Sequence, residues 1–290
     1  MKLAKFYARV INLGAAIDPR VKKNTRVFAD TAILYGSADT EVKKILAGID
    51  IEASELLLAD RLREKEGLDL VLAHHPEGRA WAALSQVMQL QVDLLKGLGV
   101  QEKTAQRMLD ERMREVERRV LPSNHMRSVD VARLLDLPFM CAHTPADNHV
   151  YDYLKRLFSK EKPHLVKDVI GLLLGIPEYQ LAVKENAGPR VITGNPKRPA
   201  GKICLEMTGG TEGPKEAYDK LYKSGVRTLV CMHLSEEHFK KVKEVNLNVV
   251  IAGHISSDNL GLNLLLDNLE QEEEFEVIGC SGFRRIKHKK

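Results

Sequence analysis

The sequence predicts an α/β protein: two α/β lobes with mixed sheets, a helical insertion, and a metal site in the cleft between the lobes. Short apolar runs alternate with stretches of helical periodicity in both halves of the chain, which is the pattern of βαβ units. Long charged helices interrupt this pattern, and three apolar runs end in histidine or aspartate. We predict that residues 1–148 and 248–290 form the first lobe, with the insertion at about 80–127, and that residues 149–247 form the second.

The composition is that of a folded globular protein. Of the 290 residues, 44% are hydrophobic, which is enough for a sizeable core. The net charge of +4 is spread over many residues of both signs, so nucleic acid is not an expected partner. The four cysteines form no CxxC pair, as expected for reduced thiols in a cytoplasm. The first twenty residues read as an amphipathic helix, and the apolar segment 169–176 is too short to span a bilayer, so we expect a cytoplasmic protein without membrane contact.

The first βαβ unit follows the N-terminal helix and a short apolar stretch at 31–36. Residues 45–49 and 68–73 are apolar runs of strand length, and the segment between them has helical spacing. We expect Ser54 to cap this helix and Gly67 to end it.

Two adjacent histidines, His74 and His75, come directly after the second of these strands. Pro76 holds His75 in an extended geometry and stops a helix from running back through the pair. The pair therefore lies at the carboxyl edge of the sheet, where open α/β sheets bind their ligands. Taken alone, the segment fits loop or capping histidines as well as it fits metal ligands.

The insertion reads as two long helices, at 80–98 and 102–119. The second is rich in arginine, but its acidic residues offset most of that charge, which favours a solvated helix face over a nucleic-acid surface. The first has an apolar stripe suited to packing on a neighbouring element or on another subunit.

A strand at 137–142 runs into His143 and Asp147, ahead of a helix at 150–157. Asp147 alone fits a helix-capping or turn residue as well as a ligand. Beyond it we expect a helix at 164–174 and a surface hairpin or linker at 188–202.

The second α/β run begins with a strand at 202–207 and a glycine-rich turn at 208–213. The turn either binds an anion through its backbone amides or is a tight turn that needs no ligand. The later elements are a helix at 214–224, a strand at 227–232, a helix capped by Ser235 and a strand at 247–253. The last strand opens into His254 and Asp258, which lie four residues apart and therefore on one helix face, unless Ser257 or Asp258 is only the helix cap.

Three strands thus end in metal-type residues, and a shared site explains this pattern better than coincidence. Imidazoles combined with carboxylates suit Zn, Mn or Fe rather than Ca or Mg. Five ligands cannot close two coordination shells, so two ions bridged by a carboxylate and water would keep open positions, as in hydrolytic two-metal sites.

The order of the motifs resembles the Nif-three-like family, also called the GTP cyclohydrolase 1 type 2 family. The motifs are HHP at 74–76, AHTPAD at 142–147, TGGTEG at 208–213 and GHISSD at 253–258. The resemblance implies a dinuclear site of two divalent transition-metal ions (Zn, Mn or Fe) held by a set of five residues: His74, His75, Asp147, His254 and Asp258. It places His143 behind the ligands. The final acid is Asp258 where the family usually has glutamate, which puts its bridging reach in question.

The resemblance also implies a ring-shaped homo-oligomer, possibly a hexamer. The expected function is that of a metal-dependent hydrolase acting on a small molecule such as a nucleotide or phosphoester. His143 or His149 is the expected proton shuttle, although either also fits a structural histidine. The alternative is a non-catalytic metal-binding scaffold that engages a protein partner.

Overall fold

The computed structural model describes residues 1–20 and 27–288. The strands, in chain order, are β1 (Thr31–Tyr35), β2 (Lys44–Gly48), β3 (Leu70–Ala73), β4 (Phe139–Ala142), β5 (Arg190–Thr193), β6 (Lys202–Glu206), β7 (Val226–Cys231), β8 (Asn248–Ile251) and β9 (Glu276–Cys280). The helices are α1 (Leu3–Ala16), α2 (Ala53–Glu66), α3 (Gly78–Ala82), α4 (Leu84–Val87), α5 (Leu90–Gly97), α6 (Glu102–Val120), α7 (Arg127–Leu134), α8 (Thr144–Glu161), α9 (Val166–Leu174), α10 (Pro177–Lys184), α11 (Ala217–Lys223), α12 (Glu236–Glu244) and α13 (His254–Glu270).

The described strands form two mixed sheets, which confirms the predicted α/β class. The first sheet has the order β1-β4-β3-β2-β9, with β1 antiparallel to four parallel strands. The second has the order β5-β8-β7-β6, with β5 antiparallel to three parallel strands. Because parallel strands end at one edge, each sheet gathers the residues that follow its strands.

Two helices, α8 and α13, lie between the sheets and contact each other. With α1, they cover the face of the first sheet that includes Ile45 and Leu72. Side chains of the same two helices, including Leu154 and Leu260, pack in the core against Val230 of the second sheet. Both helices begin directly after a strand's carboxyl end, so their first turns meet where the two sheets face each other.

The insertion packs against the second sheet. Met88, Val92 and Leu109 share a core with Leu229 and Val249 of that sheet. The insertion follows the first sheet in sequence, yet its apolar side chains cover a face of the second.

The single helix expected at 80–98 is wrong: the structure has α3, α4 and α5 there. The buried residues of this stretch are too closely spaced for one helix stripe, since Val87, Met88, Leu90, Gln91 and Val92 are all buried. Short helices that change direction bury such a sequence, whereas one straight helix would leave part of it in water.

The start of α2 also differs from the expectation. Its cap is Glu52, whose backbone N–H donates to the Glu55 carboxylate at 2.9 Å, and Ser54 lies inside the helix. The predicted end is confirmed, because Gly67 adopts a left-handed φ of +75°.

The predicted start of the final first-lobe segment at residue 248 does not match the sheets. β8 pairs with β7 and β5 in the second sheet, because α12 carries the chain across from β7 to a parallel neighbour. β9, which the sequence analysis did not identify, pairs with β2 in the first sheet. The stretch expected to be a hairpin or linker contains β5, an edge strand. In the described part of the chain, no helix is long and apolar enough to cross a membrane.

Candidate metal centre

The cluster of histidines and aspartates forms where three strands of the two sheets end. His74 and His75 follow β3, His143 follows the neighbouring β4, and His254 follows β8 across the cleft. Asp147 and Asp258 lie in or just after the first turns of α8 and α13. The alternative that Asp147 precedes its helix is wrong, because α8 already begins at Thr144.

The turn into α13 requires glycine at position 253. Gly253 has φ +113°, and a Cβ there would lie 2.5 Å from Ser256 Oγ and 3.1 Å from the carbonyl oxygen of Ala187. This backbone conformation lets α13 begin at His254, shortly after β8 ends at Ile251. His254 and Asp258 then project from the same face.

Asp258 lies at the centre of the cluster. Its Oδ1 is 3.5 Å from His74 Nε2, while its Oδ2 is 3.4 Å from His75 Nε2 and 3.5 Å from His254 Nε2. These distances are long for hydrogen bonds between nitrogen and oxygen. They match the roughly 3.3–3.5 Å that separates two ligands of one tetrahedral ion with bonds of about 2.0–2.2 Å.

The carboxylate oxygens here have no hydrogen-bond partner among the described residues. Both oxygens of Asp258 and Oδ1 of Asp147 are buried and unpaired. An unpaired buried polar group costs about 1–3 kcal/mol, and more when it is charged. A cation among these oxygens would remove that cost, so the residues present fit a metal ion.

The cluster contains three groups of residues, and within each group the ligand atoms all lie within 4.8 Å of one another. They are His74 with His75 and His143, His75 with His254 and Asp258, and His74 with Asp147 and Asp258. These histidines and the buried Asp147 and Asp258 could hold a metal ion. Their imidazole and carboxylate chemistry suits a divalent transition metal.

Two further aspartates, which the sequence analysis missed, hold the histidines in place. His75 Nδ1 is hydrogen-bonded to Asp50 Oδ1 at 2.7 Å, and His143 Nδ1 to Asp30 Oδ2 at 2.8 Å. Asp30 is fully buried and also accepts from the Thr144 hydroxyl at 2.6 Å. A carboxylate behind an imidazole is the usual arrangement around metal-binding histidines. The sequence signal was present at Asp50, which is a polar residue just beyond a parallel strand.

The electrostatics charge the centre of the cluster. Burial opposes protonation of His75, but the Asp258 and Asp50 carboxylates outweigh burial and raise the pKa of His75 to about 10, so a metal ion would displace a proton there. Burial opposes ionisation of Asp258, but the His74 and His75 imidazoles outweigh it and hold the pKa of the carboxyl well below its ordinary value. Burial lowers the pKa of His254 to about 4, so this imidazole is neutral. Burial raises the pKa of Asp147 to about 6, as expected for a carboxylate without enough positive charge around it.

The two histidines expected to move protons have different positions. His143 belongs to the cluster: its Nε2 is 3.7 Å from Asp147 Oδ2 and its ring centroid is 5.0 Å from that of His74. The structure does not bring His149 to the cluster. Two residues along a helix turn a side chain by about 200°, so His149 points away from the side of α8 that carries Asp147. Its Nδ1 instead donates to the Pro145 carbonyl at 2.7 Å.

An open-mouthed cavity of about 770 Å³, counted with the space in its mouth, adjoins the cluster. His143, Asp147 and His254 border it on the metal-binding side. His233, which follows β7, also lines it, with its ring centroid 4.9 Å from that of His254. The opposite wall is helix α5 of the insertion.

No family model and no curated protein matches the chain. Among solved structures, the NIF3 superfamily protein from Sphaerobacter thermophilus matches with a TM-score of 0.80 and 28% identity, over 95% of this chain and 98% of that chain. Reduced HcgD from Methanocaldococcus jannaschii matches with a TM-score of 0.55 and 18% identity, over 96% and 97%. The Staphylococcus aureus hypothetical protein SA1388 matches with a TM-score of 0.52 and 12% identity, over 100% and 99%.

The last two likenesses show the common fold. The first extends to sequence over nearly the whole of both chains, and the motifs of this chain occur in the order that the family resemblance describes. The 28% identity over nearly the whole of both chains, together with the motif order, supports assignment of the chain to the Nif-three-like family.

Proposed function

We propose that this protein is a metal-dependent hydrolase with two divalent transition-metal ions, Zn, Mn or Fe, in the cluster. The observation that carries the proposal is the set of buried, unpaired oxygens of Asp147 and Asp258 that face histidine nitrogens. A fold has no structural use for such carboxylates, because leaving them unpaired only destabilises it.

In this proposal Asp258 would contribute a ligand to each of the two ions. Its Oδ1 faces the pair His74 and Asp147, and its Oδ2 faces the pair His75 and His254. Aspartate in place of the family's glutamate therefore still offers one oxygen to each side. His143 borders the site from behind Asp147.

A bound metal pair supplies a water of pKa about 7 and polarises the substrate oxygen. His143 is the group of the chain that is placed to take up and return a proton. Its Nδ1 is held by Asp30, which leaves Nε2 free toward the cluster. The adjoining cavity holds the rest of a small-molecule substrate, with nucleotides and phosphoesters as the first classes to test.

The test combines metal content with turnover. We expect elemental analysis of the protein as isolated to give about two ions per chain. A panel of nucleotides, phosphoesters and cyclic amides should include a substrate whose turnover requires the metal and is lost in His75→Ala with the fold intact. Less than one ion per chain contradicts the dinuclear site. No turnover by the loaded protein, together with a lower melting temperature after chelation, identifies a metal-binding scaffold instead.

We further propose a cytoplasmic homo-oligomer with a ring shape, possibly a hexamer. Large apolar side chains are exposed on helices that contact each other, Leu57 and Leu58 on α2 and Leu134 on α7, which supports burial against another subunit. Light scattering on the purified protein should give a multiple of the 32.6 kDa chain mass. A monomer at micromolar concentration contradicts this part of the proposal.

A further inference from the structure

The cavity beside the cluster has one apolar wall. Leu94 and Leu95 of α5 and Leu98, which follows that helix, line it on the insertion side, and residues at the ends of β6 and β7 line it as well. Such a wall suits a flat or aliphatic part of a ligand, since burying apolar surface contributes about 25 cal/mol per Å².

One polar group in the cavity lining, the Glu206 carboxylate, is only weakly hydrogen-bonded by the protein. Glu206 lies at the end of β6, and the Tyr218 hydroxyl donates to it at a long 3.4 Å. Burial and the neighbouring Glu212 carboxylate raise the pKa of Glu206 to about 7. A hydrogen-bond donor or a cation from a ligand would complete this site.

A second acceptor is Gln91 on α5, which is 6% exposed. Its Nε2 donates to the carbonyls of Gly209 and Thr211 at 2.9 and 2.7 Å, which fixes the orientation of the amide. Its Oε1 is buried without a hydrogen-bond partner among the described residues. Gln91 therefore presents an unsatisfied oxygen within the lining of the same cavity.

The third carboxylate in the lining, Glu212, is already balanced. It accepts from the Ser235 backbone N–H at 2.5 Å and lies 3.5 Å from His238 Nδ1, with Arg112 behind it at 4.0 Å. Among the described residues, the lining includes no lysine and no arginine. The part of the cavity around Glu206 and Glu212 therefore suits a phosphate group poorly, and a phosphoester substrate would have its phosphoryl group on the metal-binding side.

We infer that this cavity binds a small ligand through an N–H donor group of the amidine, guanidine or amino-heterocycle type, which pairs with Glu206 and Gln91 while its apolar part lies on α5. The inference rests on the proposed function in one respect: if the metal cluster is catalytic, this cavity is where the non-reacting part of the substrate is recognised.

The test uses benzamidine as the probe and benzoate as its anionic counterpart of the same shape, titrated into the metal-loaded protein by calorimetry. We expect benzamidine to bind, and to bind at least 10-fold more weakly to Glu206→Gln. Glu216→Gln is the matched control, because Glu216 is exposed and lies outside the cavity lining; it should bind benzamidine as the unaltered protein does. The affinity for benzoate should stay the same or rise in Glu206→Gln, because a like charge is removed.

A second variant guards against a misfolded Glu206→Gln protein. Leu98→Trp fills the cavity from the α5 side and should also abolish benzamidine binding, with an unchanged circular dichroism spectrum. The inference is overturned if benzamidine does not bind, or if it binds equally well to Glu206→Gln. Metal-dependent turnover without benzamidine binding refutes this inference and leaves the proposed function intact. Benzamidine binding by a protein that holds less than one ion per chain supports this inference and contradicts the proposed dinuclear function.

Discussion

Two clusters of histidine and carboxylate in the described part of the chain lie at the carboxyl edges of the two sheets, and they differ in how their carboxylates are paired. Glu212, in the turn after β6, accepts a backbone hydrogen bond from Ser235 at 2.5 Å and has His238 and Arg112 around it. Burial opposes ionisation of Glu212, but His233, the Ser235 backbone N–H and His238 outweigh it and lower the pKa of Glu212 to about 2. Asp258 also faces histidines, yet both its oxygens lack a hydrogen-bond partner among the described residues.

The comparison teaches that residue type alone does not identify a ligand site. Both clusters combine acid and imidazole, and both are largely buried. The carboxylate of the first cluster is paired with groups of the chain itself, whereas the second holds oxygens and nitrogens about 3.5 Å apart, a spacing that suits ligands of one cation. The presence or absence of hydrogen-bond partners for the buried carboxylate oxygens distinguishes the structural cluster from the candidate metal centre.

The largest expected effect is a loss of metal in Asp258→Asn. Removing the carboxylate that faces both sides of the cluster should weaken metal binding by more than about 100-fold, beyond the 10–100-fold typical of supporting residues. Competition with a chromophoric chelator measures this affinity.

Glu212→Gln is the matched variant for this comparison. It should retain metal but lose about 1–3 kcal/mol of unfolding free energy, because its histidine and arginine partners lose their counter-charge. If Glu212→Gln lost metal as severely as Asp258→Asn, the distinction between the two clusters would be wrong.

A smaller loss of metal is expected when the supporting aspartates are changed. Asp50→Asn and Asp30→Asn leave all the facing ligand atoms in place but weaken the hold on His75 Nδ1 and His143 Nδ1. We expect metal affinity to fall by about 10–100-fold in each. Unchanged metal affinity in both variants would show that the histidines are positioned by other contacts.

The glycine turn offers a test of stability without an effect on metal. Gly210 has φ +84°, and a Cβ there would lie 2.8 Å from Val87 Cγ2 of the insertion. Gly210→Ala should destabilise the protein by about 1–3 kcal/mol in urea denaturation, with metal content unchanged. Gly67→Ala is the control, because its φ is +75° with nothing within 4 Å, and it should cost less. Equal losses in the two variants would mean that packing against the insertion contributes nothing.

The last expected effect is on the pH dependence of stability at Glu206. Its pKa is raised from 4.5 to about 7 in the folded protein, so the folded state binds more protons than the unfolded state between these values. Stability therefore falls as pH rises from 4.5 to 7. Relative to the unaltered protein, Glu206→Gln should be more stable at pH 8 than at pH 5 by about 2 kcal/mol. A difference between the two proteins that does not change with pH would contradict the raised pKa.

Local patterns in the sequence were sufficient for the buried parallel strands and for the residues that follow them. β3 is a run of apolar residues followed by His74, and β8 is followed by His254, so the positions of these candidate ligands at strand ends were predictable from periodicity. The family resemblance added the choice of five ligands from this group, with His143 left outside them. The edge strands β5 and β9 were missed because they are short and half-exposed, which weakens the apolar pattern.

The sequence by itself determined the class of fold and the set of candidate ligands, because both depend on residue types repeated at short spacing. Only the tertiary structure decided which groups meet. It brought Asp30 and Asp50 behind the histidines, kept His149 away from the cluster, and placed the insertion on the second sheet as a wall of the cavity. These outcomes depend on contacts between residues far apart in the chain, and those contacts follow from how the two sheets and the helices between them pack.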